Sequence, residues 1–395
     1  MVAASPSAAA IEHSRLFSKQ HSDGGWGLVP IQSRVGRFRS FKAAEFEPVS
    51  GFETEWKYTP IKLIDPLLNG ALVGEQPKLE SRLEGGASLN WVDAGNPLIG
   101  SVGIPEERGS ANAWSQIAGA HVLTLDGTDC FAEIARTGEG SALATHLVVR
   151  VSANSKANVV LKGTGAGSSS DNVEIHVGEG AELTLVTIQD WDDSYTQLST
   201  HFIKLDRDSI VRHVVVSLGG AVVRLNTSVH LAGQGSEAEL LGVYFADEAQ
   251  HLEHQVFANH DAPNTKSRVN YRGALNGLGA RTVWVGDVLI RPTATGTDSY
   301  EENRNLLLSE GARADSVPNL EIETGEINGA GHASASGRFD DEQLFYLQAR
   351  GIPEEIARRL VVEGFLSGVV QRIGIPDIEA ALIEAIRAEL SRESG

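Results

Sequence analysis

Residues 172–246 read NVEIHVGEGAELTLVTIQDWDDSYTQLSTHFIKLDRDSIVRHVVVSLGGAVVRLNTSVHLAGQGSEAELLGVYFA, and this stretch decides the fold. Its apolar runs are short, rich in Val and Leu, and broken by Gly, Asn and Asp, as strands separated by tight turns are. The same texture extends upstream through ATHLVVRVSA (144–153) and ANVVLKG (157–163). No segment of 10 to 15 residues with helical period interrupts residues 80–327, which argues against alternating βαβ units.

A punctuation mark recurs in this region. Gly138-Glu139-Gly140-Ser141, Gly178-Glu179-Gly180-Ala181, Gly233-Gln234-Gly235-Ser236 and Gly277-Leu278-Gly279-Ala280 share the form G-x-G-[A/S]. Spacings of 40, 55 and 44 residues are too irregular for a propeller but suit one or two turns of a solenoid with variable loops. Glycine permits corners with positive φ, and the small residue after it fits where coils stack closely. The expected fold is mainly β, a parallel β-helix, with a sandwich or barrel as competitor.

The flanks differ. Residues 1–75 are mixed and expected to be partly helical, with loop chemistry at His21-Ser22-Asp23-Gly24-Gly25. Glu55-Trp56-Lys57-Tyr58-Thr59-Pro60 reads as a surface segment anchoring this region to the next. Residues 76–335 form the expected β-helix core and residues 336–395 a helical region. In the latter, Asp340-Asp341-Glu342 place acids in a first turn, and Gly351 is a stop. Pro353 restarts the chain at N1, and Ile356, Leu360, Val361, Phe365 and Val369 recur at helical spacing. Ile375-Pro376-Asp377 breaks that helix before a last one, IEAALIEAIRAELS. These helices suit either a cap on the open solenoid end or a docking surface.

The chain has 395 residues with 33 basic against 52 acidic side chains, a net charge of −19, and no Lys/Arg run. Nucleic acid and anionic membrane are therefore not expected partners, because phosphate recognition needs clustered cations. Cys130 is the sole cysteine, so neither an intrachain disulfide nor a thiolate-only cluster site is available. MVAASPSAAAIEHS lacks the features of a signal peptide, and no apolar run is long enough to span a membrane. A cytoplasmic protein is expected.

Familiar catalytic motifs are missing: there is no G-x-x-x-x-G-K-[S/T], no G-x-S-x-G and no H-E-x-x-H. Gly163-Thr164-Gly165-Ala166-Gly167-Ser168 reads as an inter-strand loop, not a phosphate loop. On a strand, His254 and His260 share one face while His251 and Asp261 lie on the other, which splits a would-be metal cluster and favours hydrogen bonding between coils. Cys130 is expected as a small buried hydrophobe. His332 stands apart, flanked by Gly329, Ala330, Gly331, Ala333 and Ser334 at the boundary between strand and helix textures.

Several segments together resemble the SufB/SufD family of SUF iron–sulfur cluster assembly subunits. They are the hexad Glu55–Pro60, His260-Asp261-Ala262-Pro263-Asn264-Thr265-Lys266-Ser267, Asn303-Arg304-Asn305-Leu306-Leu307-Leu308-Ser309, Pro318-Asn319-Leu320-Glu321-Ile322, His332, and Asp340-Asp341-Glu342-Gln343-Leu344-Phe345-Tyr346-Leu347-Gln348-Ala349-Arg350-Gly351-Ile352. The resemblance covers most of residues 50–370 in consistent order. It implies a right-handed parallel β-helix with helical regions at both ends, acting as a non-catalytic scaffold. It also implies pairing with a SufB chain along β-helix edges and docking of the SufC ATPase on the C-terminal helices. Asp341, Phe345, Tyr346, Arg350, Gly351, Ile352 and Phe365 are the docking candidates. His332 is the candidate ligand to a transient iron–sulfur cluster shared with SufB, with no cofactor bound by the isolated chain, which has the option of forming a homodimer.

Departures from the family pattern favour the SufD branch. SufB-type chains carry a cysteine where this chain has Asn303, and His-Glu where it has His332-Ala333. The frequent H-G-A-T is here His332-Ala333-Ser334-Ala335, and an upstream acidic pair is reduced to Glu326, leaving the imidazole as the donor. The alternatives are a polysaccharide-active β-helix enzyme and a purely structural ATPase-binding scaffold.

Overall fold

Val, Leu and Ile at alternate positions give each strand one face for a shared interior, and turns rich in Gly, Asn and Asp send the chain back to repeat it. The computed structural model describes residues 34–339 and 341–392, so the loop reading of residues 21–25 and that of Asp340 lie outside the described residues. The strands are β1 Glu80–Glu84, β2 Ala87–Asp93, β3 Gly119–Leu125, β4 Cys130–Val151, β5 Lys156–Val177, β6 Glu182–Trp191, β7 Thr196–Leu205 and β8 Ile210–Ser217. They continue as β9 Val222–Leu231, β10 Glu237–Ala246, β11 His251–His260, β12 Lys266–Leu275, β13 Arg281–Ile290, β14 Asp298–Leu307, β15 Arg313–Ile322 and β16 Gly329–Arg338.

Strand β5 turns a corner, pairing with β6 through Lys156–Gly165 and with β7 through Ser168–Val177. From there even-numbered strands stack in one parallel sheet and odd-numbered strands in the other. The result is a β-solenoid of about eight turns. Strict register builds columns: Leu185, His213, Leu240, Val269, Glu301 and His332 stand one above another. Leu185, Leu240 and Val269 of this column belong to the core between the sheets, so the column faces the lumen. The hairpin of β1 and β2 crosses the first coil, β1 antiparallel to β4 and β2 antiparallel to β3.

One corner explains the sequence punctuation. Asn154, Gly180, Asp208, Gly235, Asn264 and Gly296 all have φ between 53° and 74°, and they recur every 26 to 32 residues. Each is followed by a small buried residue: Ser155, Ala181, Ser209, Ser236, Thr265 and Thr297. Asn and Asp tolerate the left-handed conformation, so glycine marks only alternate coils and the true period is halved from what G-x-G suggests. A Cβ on Gly235 would come within 2.3 Å of the Asp208 Oδ1 stacked beside it, so a side chain there would have to displace that carboxylate as well as adopt a left-handed φ. Gly277–Ala280 belongs to the opposite corner, and Gly138–Ser141 is a bulge in β4 where the register shifts.

Both outer faces are covered. Helices α1 (Ile61–Asn69) and α2 (Arg108–Gln116) pack with Trp56 on the odd-numbered sheet. On the other side lie α3 (Asp341–Gln348), α4 (Glu354–Val370) and α5 (Pro376–Arg392). Val362, Leu366, Val369, Val370 and Ile373, with Leu382, Ile386 and Leu390, cover Val214, Val216, Leu241, Val243 and Phe245. The helices therefore lie along a sheet face and do not close the end. Most of β16 is exposed, leaving the last coil uncovered. Two details of the expected helices shift: Pro353 is the N-cap of α4, and Ile356 and Leu360 point to solvent, because the sheet takes the Val362–Leu366–Val369 stripe.

Candidate functional site

His332 lies in the middle of β16, a strand of Gly, Ala, Ser and His that local propensity does not favour. It forms because β14 supplies a template of ten consecutive parallel pairs, Asp298↔Gly329 to Leu307↔Arg338. The histidine points into the lumen of the last coil, where its side chain keeps 44% of its surface exposed. Directly below, on the preceding coil, is Glu301 with 1% of its side chain exposed and its Oε1 3.8 Å from His332 Nδ1. Neither Glu301 oxygen has a well-formed hydrogen bond among the described residues. Burial, with the neighbouring Asp287 carboxylate adding to it, pushes this carboxyl up to about 8. Sequence reasoning passed over Glu301, since its place under His332 depends on a coil length of 31 residues.

Many of the other lumen polar groups meet one another, although His254 Nδ1, Tyr271 OH and Trp284 Nε1 have no partner among the described residues. His260 Nδ1 is 2.8 Å from Thr265 Oγ1, and its Nε2 is 2.8 Å from Ser267 Oγ. His254 Nε2 meets Ser217 Oγ at 3.0 Å, while that hydroxyl donates to Gln189 Oε1 at 2.9 Å. Tyr244 stacks on His254 with 4.8 Å between ring centres and donates from its hydroxyl to Asn305 Oδ1 at 2.8 Å. Asn303, at the position of interest for a thiol, is buried and donates from Nδ2 to Tyr244 OH (2.8 Å) and the Tyr271 carbonyl (3.2 Å). His251 faces outward and contacts Glu253. The histidines are thus held in separate hydrogen bonds, and among the described residues no group of three or more His, Cys, Asp or Glu is set to hold a metal ion. Cys130 is buried near the opposite end of the solenoid, its thiol donating to the Gly85 carbonyl at 2.9 Å, and burial raises its pKa.

The seven helical candidates divide. Phe345 and Tyr346 project from α3 with 71% and 56% of their surface exposed. The Arg350 guanidinium lies 4.5 Å from the Tyr346 ring centre, and Gly351 ends the turn with φ +82°. Asp341 opens α3, and Ile352 is half-buried. Phe365 turns inward: the Arg272 guanidinium of β12 sits 5.5 Å from its ring and donates to its carbonyl at 2.9 Å. Ile356 and Leu360 are two further exposed apolar side chains, on α4.

The hexad at residues 55–60 is an anchor, as its aromatic and charged makeup suggested, though its centre is buried. The Arg224 guanidinium of β9 lies 3.9 Å over the Trp56 ring, bonds both Glu253 and Glu107, and donates to the Glu55 carbonyl at 3.1 Å. Thr59 Oγ1 donates to Glu253 Oε2 at 2.8 Å. Burial alone would raise the Glu253 carboxyl, but Arg224 with His251 and Thr59 outweighs it and holds it down at about 2. Glu107 and Arg224 are 117 positions apart, beyond the reach of any local pattern.

Among the described residues no helix is long and apolar enough to cross a membrane. A family model described as SUF system FeS cluster assembly, SufBD core domain, matches residues 134–365. An iron–sulfur cluster assembly SufBD family protein of Mycobacterium tuberculosis is 46% identical over 373 residues, 89% of this chain and 92% of its own length. One from Mycobacterium leprae is 47% identical over 367 residues, 90% and 93% of the two chains. A second SufBD family protein of the same M. tuberculosis strain aligns at 29% identity over 201 residues, 51% of this chain and 24% of its own length. The matched region runs from β4 through the last coil with His332 and into α4, and on that footing the chain belongs to the SufBD family of iron–sulfur cluster assembly proteins.

Proposed function

We propose that this chain is the SufD-type scaffold subunit of a SUF complex, non-catalytic, offering His332 to a nascent iron–sulfur cluster that passes through as cargo. The observation that carries the reading is an accessible imidazole facing the lumen of an uncovered last coil, with the sole cysteine buried far from it. A cluster site needs thiolates or sulfide with imidazole as a minority donor, so this edge is half a site. The other half must come from a second chain. The free edges of β15 and β16 suit β-augmentation by a SufB-type partner, and in an isolated preparation the same edges would serve a homodimer. That a single M. tuberculosis strain holds both a near and a distant SufBD relative of this chain supports pairing of two paralogues.

The exposed Phe345, Tyr346, Ile356 and Leu360 support docking of the SufC-type ATPase on α3 and α4. Asp341, Arg350, Gly351 and Ile352 border that surface, while Phe365 acts through the packing of α4 on β12. A single free thiol and no disulfide agree with a reducing cytoplasmic setting.

The test is co-expression with SufB- and SufC-type chains, followed by affinity purification and iron and sulfide analysis. Both partners should co-purify with the wild-type chain and with His332→Ala, and the variant complex should lose most of its cluster. Normal cluster content in His332→Ala, or failure of the wild-type chain to co-purify either partner, would overturn the proposal.

A further inference from the structure

Glu301 is a buried carboxyl neither of whose oxygens has a well-formed hydrogen bond among the described residues. Directly beneath it the column is apolar for two coils, Val269 and Leu240, with His213 further down, and at the last two coils it changes to Glu301 and then His332. Across the lumen stands Gly286, where a Cβ would lie 2.5 Å from Glu301 Oε2, so the absent side chain leaves the carboxylate its room. The indole Nε1–H of Trp284, on the same strand as Gly286, also lacks an acceptor. Burying a carboxyl that has no well-formed hydrogen bond is costly, and the fold does so one coil below an open edge.

We infer that Glu301 and His332 form a two-donor clasp for a ferrous ion, entering through the open end of the last coil. This rests on the reading of His332 given above and adds to it a second donor from the same chain. The geometry is close to what an ion demands. Two donors with bonds of about 2.1 Å at a tetrahedral angle stand about 3.4 Å apart; Oε1 and Nδ1 are 3.8 Å apart. A shift of a few tenths of an ångström by the exposed imidazole closes the difference while the carboxylate stays fixed. Carboxylate and imidazole are both ordinary Fe(II) donors, and two of them leave positions open for sulfide or for donors of a partner chain. A cation would also give this buried carboxyl a partner that no arginine or lysine supplies among the described residues.

The experiment is anaerobic equilibrium dialysis of Fe(II) against the full chain, using the wild type, Glu301→Gln, Glu301→Asp and His332→Ala. The wild type should bind one ion saturably. Each variant should weaken binding at least by the roughly tenfold that loss of even an outer-sphere partner costs. Glu301→Gln keeps the shape, and Glu301→Asp keeps the charge but withdraws it from the ion. Glu301→Gln should also unfold near the wild-type temperature, since it keeps the shape of a side chain that has no well-formed hydrogen bond to lose. No saturable wild-type binding, wild-type affinity in both Glu301 variants, or a Glu301→Gln melting point well below wild type would each overturn the clasp. Cluster loading of the co-expressed complex separates this from the parent reading. A defect in His332→Ala with normal loading in Glu301→Gln overturns the clasp alone, whereas normal loading in His332→Ala overturns the role of His332 itself.

Discussion

His201, His254 and His260 face a lumen that has no water-like surroundings for a positive charge, and burial lowers their pKa values to about 4, 3 and 3. Each is neutral when folded and takes a proton near 6.5 when unfolded, so acid favours the unfolded chain. Their contribution to stability is complete above about pH 6.5 and is lost progressively as pH falls toward 3 to 4, at about 1.4 kcal/mol per pH unit for each histidine. Glu253 works in a lower window: its depressed pKa stabilises the fold above about 4.5, and that stability is lost as pH falls toward 2. Between pH 6 and 5 the histidines therefore dominate. His260→Gln, which keeps polar contact with Thr265 and Ser267, should flatten the slope of unfolding free energy over this range by about one proton. Urea titrations at pH 7.5, 6.0 and 5.0 measure that slope, and an unchanged slope would show His260 to be solvated. The placement of these histidines was readable from two-residue alternation, which put His254 and His260 together and His251 apart. The partners of Arg224 were not readable, because the groups that meet on its guanidinium come from a loop before α2, from β11 and from the hexad.

At the scale of elements, turns and register outrank propensity. The strands of residues 144–246 announce themselves by Val and Leu, but β16 contains neither and was legible only as a run of small residues around a histidine. What makes it a strand is the coil beneath it, a non-local cause. The same holds for α4, whose apolar residues occupy more than one stripe, so helical spacing alone could not say which would meet the sheet. Corners, by contrast, were partly legible through G-x-G. The left-handed position opposite them is less well served: Ala249, exposed in the turn between β10 and β11, has φ +60° although it is not glycine. That conformation costs an L-residue roughly 1–2 kcal/mol, part of which glycine returns as unfolded-chain entropy. Ala249→Gly should stabilise the chain by about 0.5–1 kcal/mol, seen as a raised urea midpoint with unchanged m-value. A lowered midpoint would show that the alanine methyl makes a contact worth more than the strain.

The whole molecule is a solenoid covered along both broad faces, crossed at one end by the hairpin of β1 and β2, and left open at the other. Sequence texture read the middle of the chain as strands and its end as helices; it gave no sign of α2 within the strand-rich stretch, nor that the C-terminal helices lie along a face, since an apolar helix stripe looks the same whatever it covers. Because they do not cover the end, the two partner surfaces inferred here are physically separate: one is the edge of β15 and β16, the other the outward side of α3 and α4. A change that blocks one should spare the other. Ser336 is exposed, lumen-facing on β16 and four residues from His332, with a single 3.3 Å hydrogen bond from Asn305 Nδ2. A lysine there keeps its charge in water while the edge is free, but edge-to-edge pairing would trap it between two coils, the device by which natural sheets resist adding strands. Ser336→Lys should change monomer stability by no more than about 0.5 kcal/mol, as surface substitutions do. In pull-downs from co-expression it should lose the SufB-type chain while retaining the SufC-type ATPase. Loss of both partners together would mean that the ATPase reaches this chain only through the paired edge, and retention of both would place the pairing surface elsewhere on the solenoid.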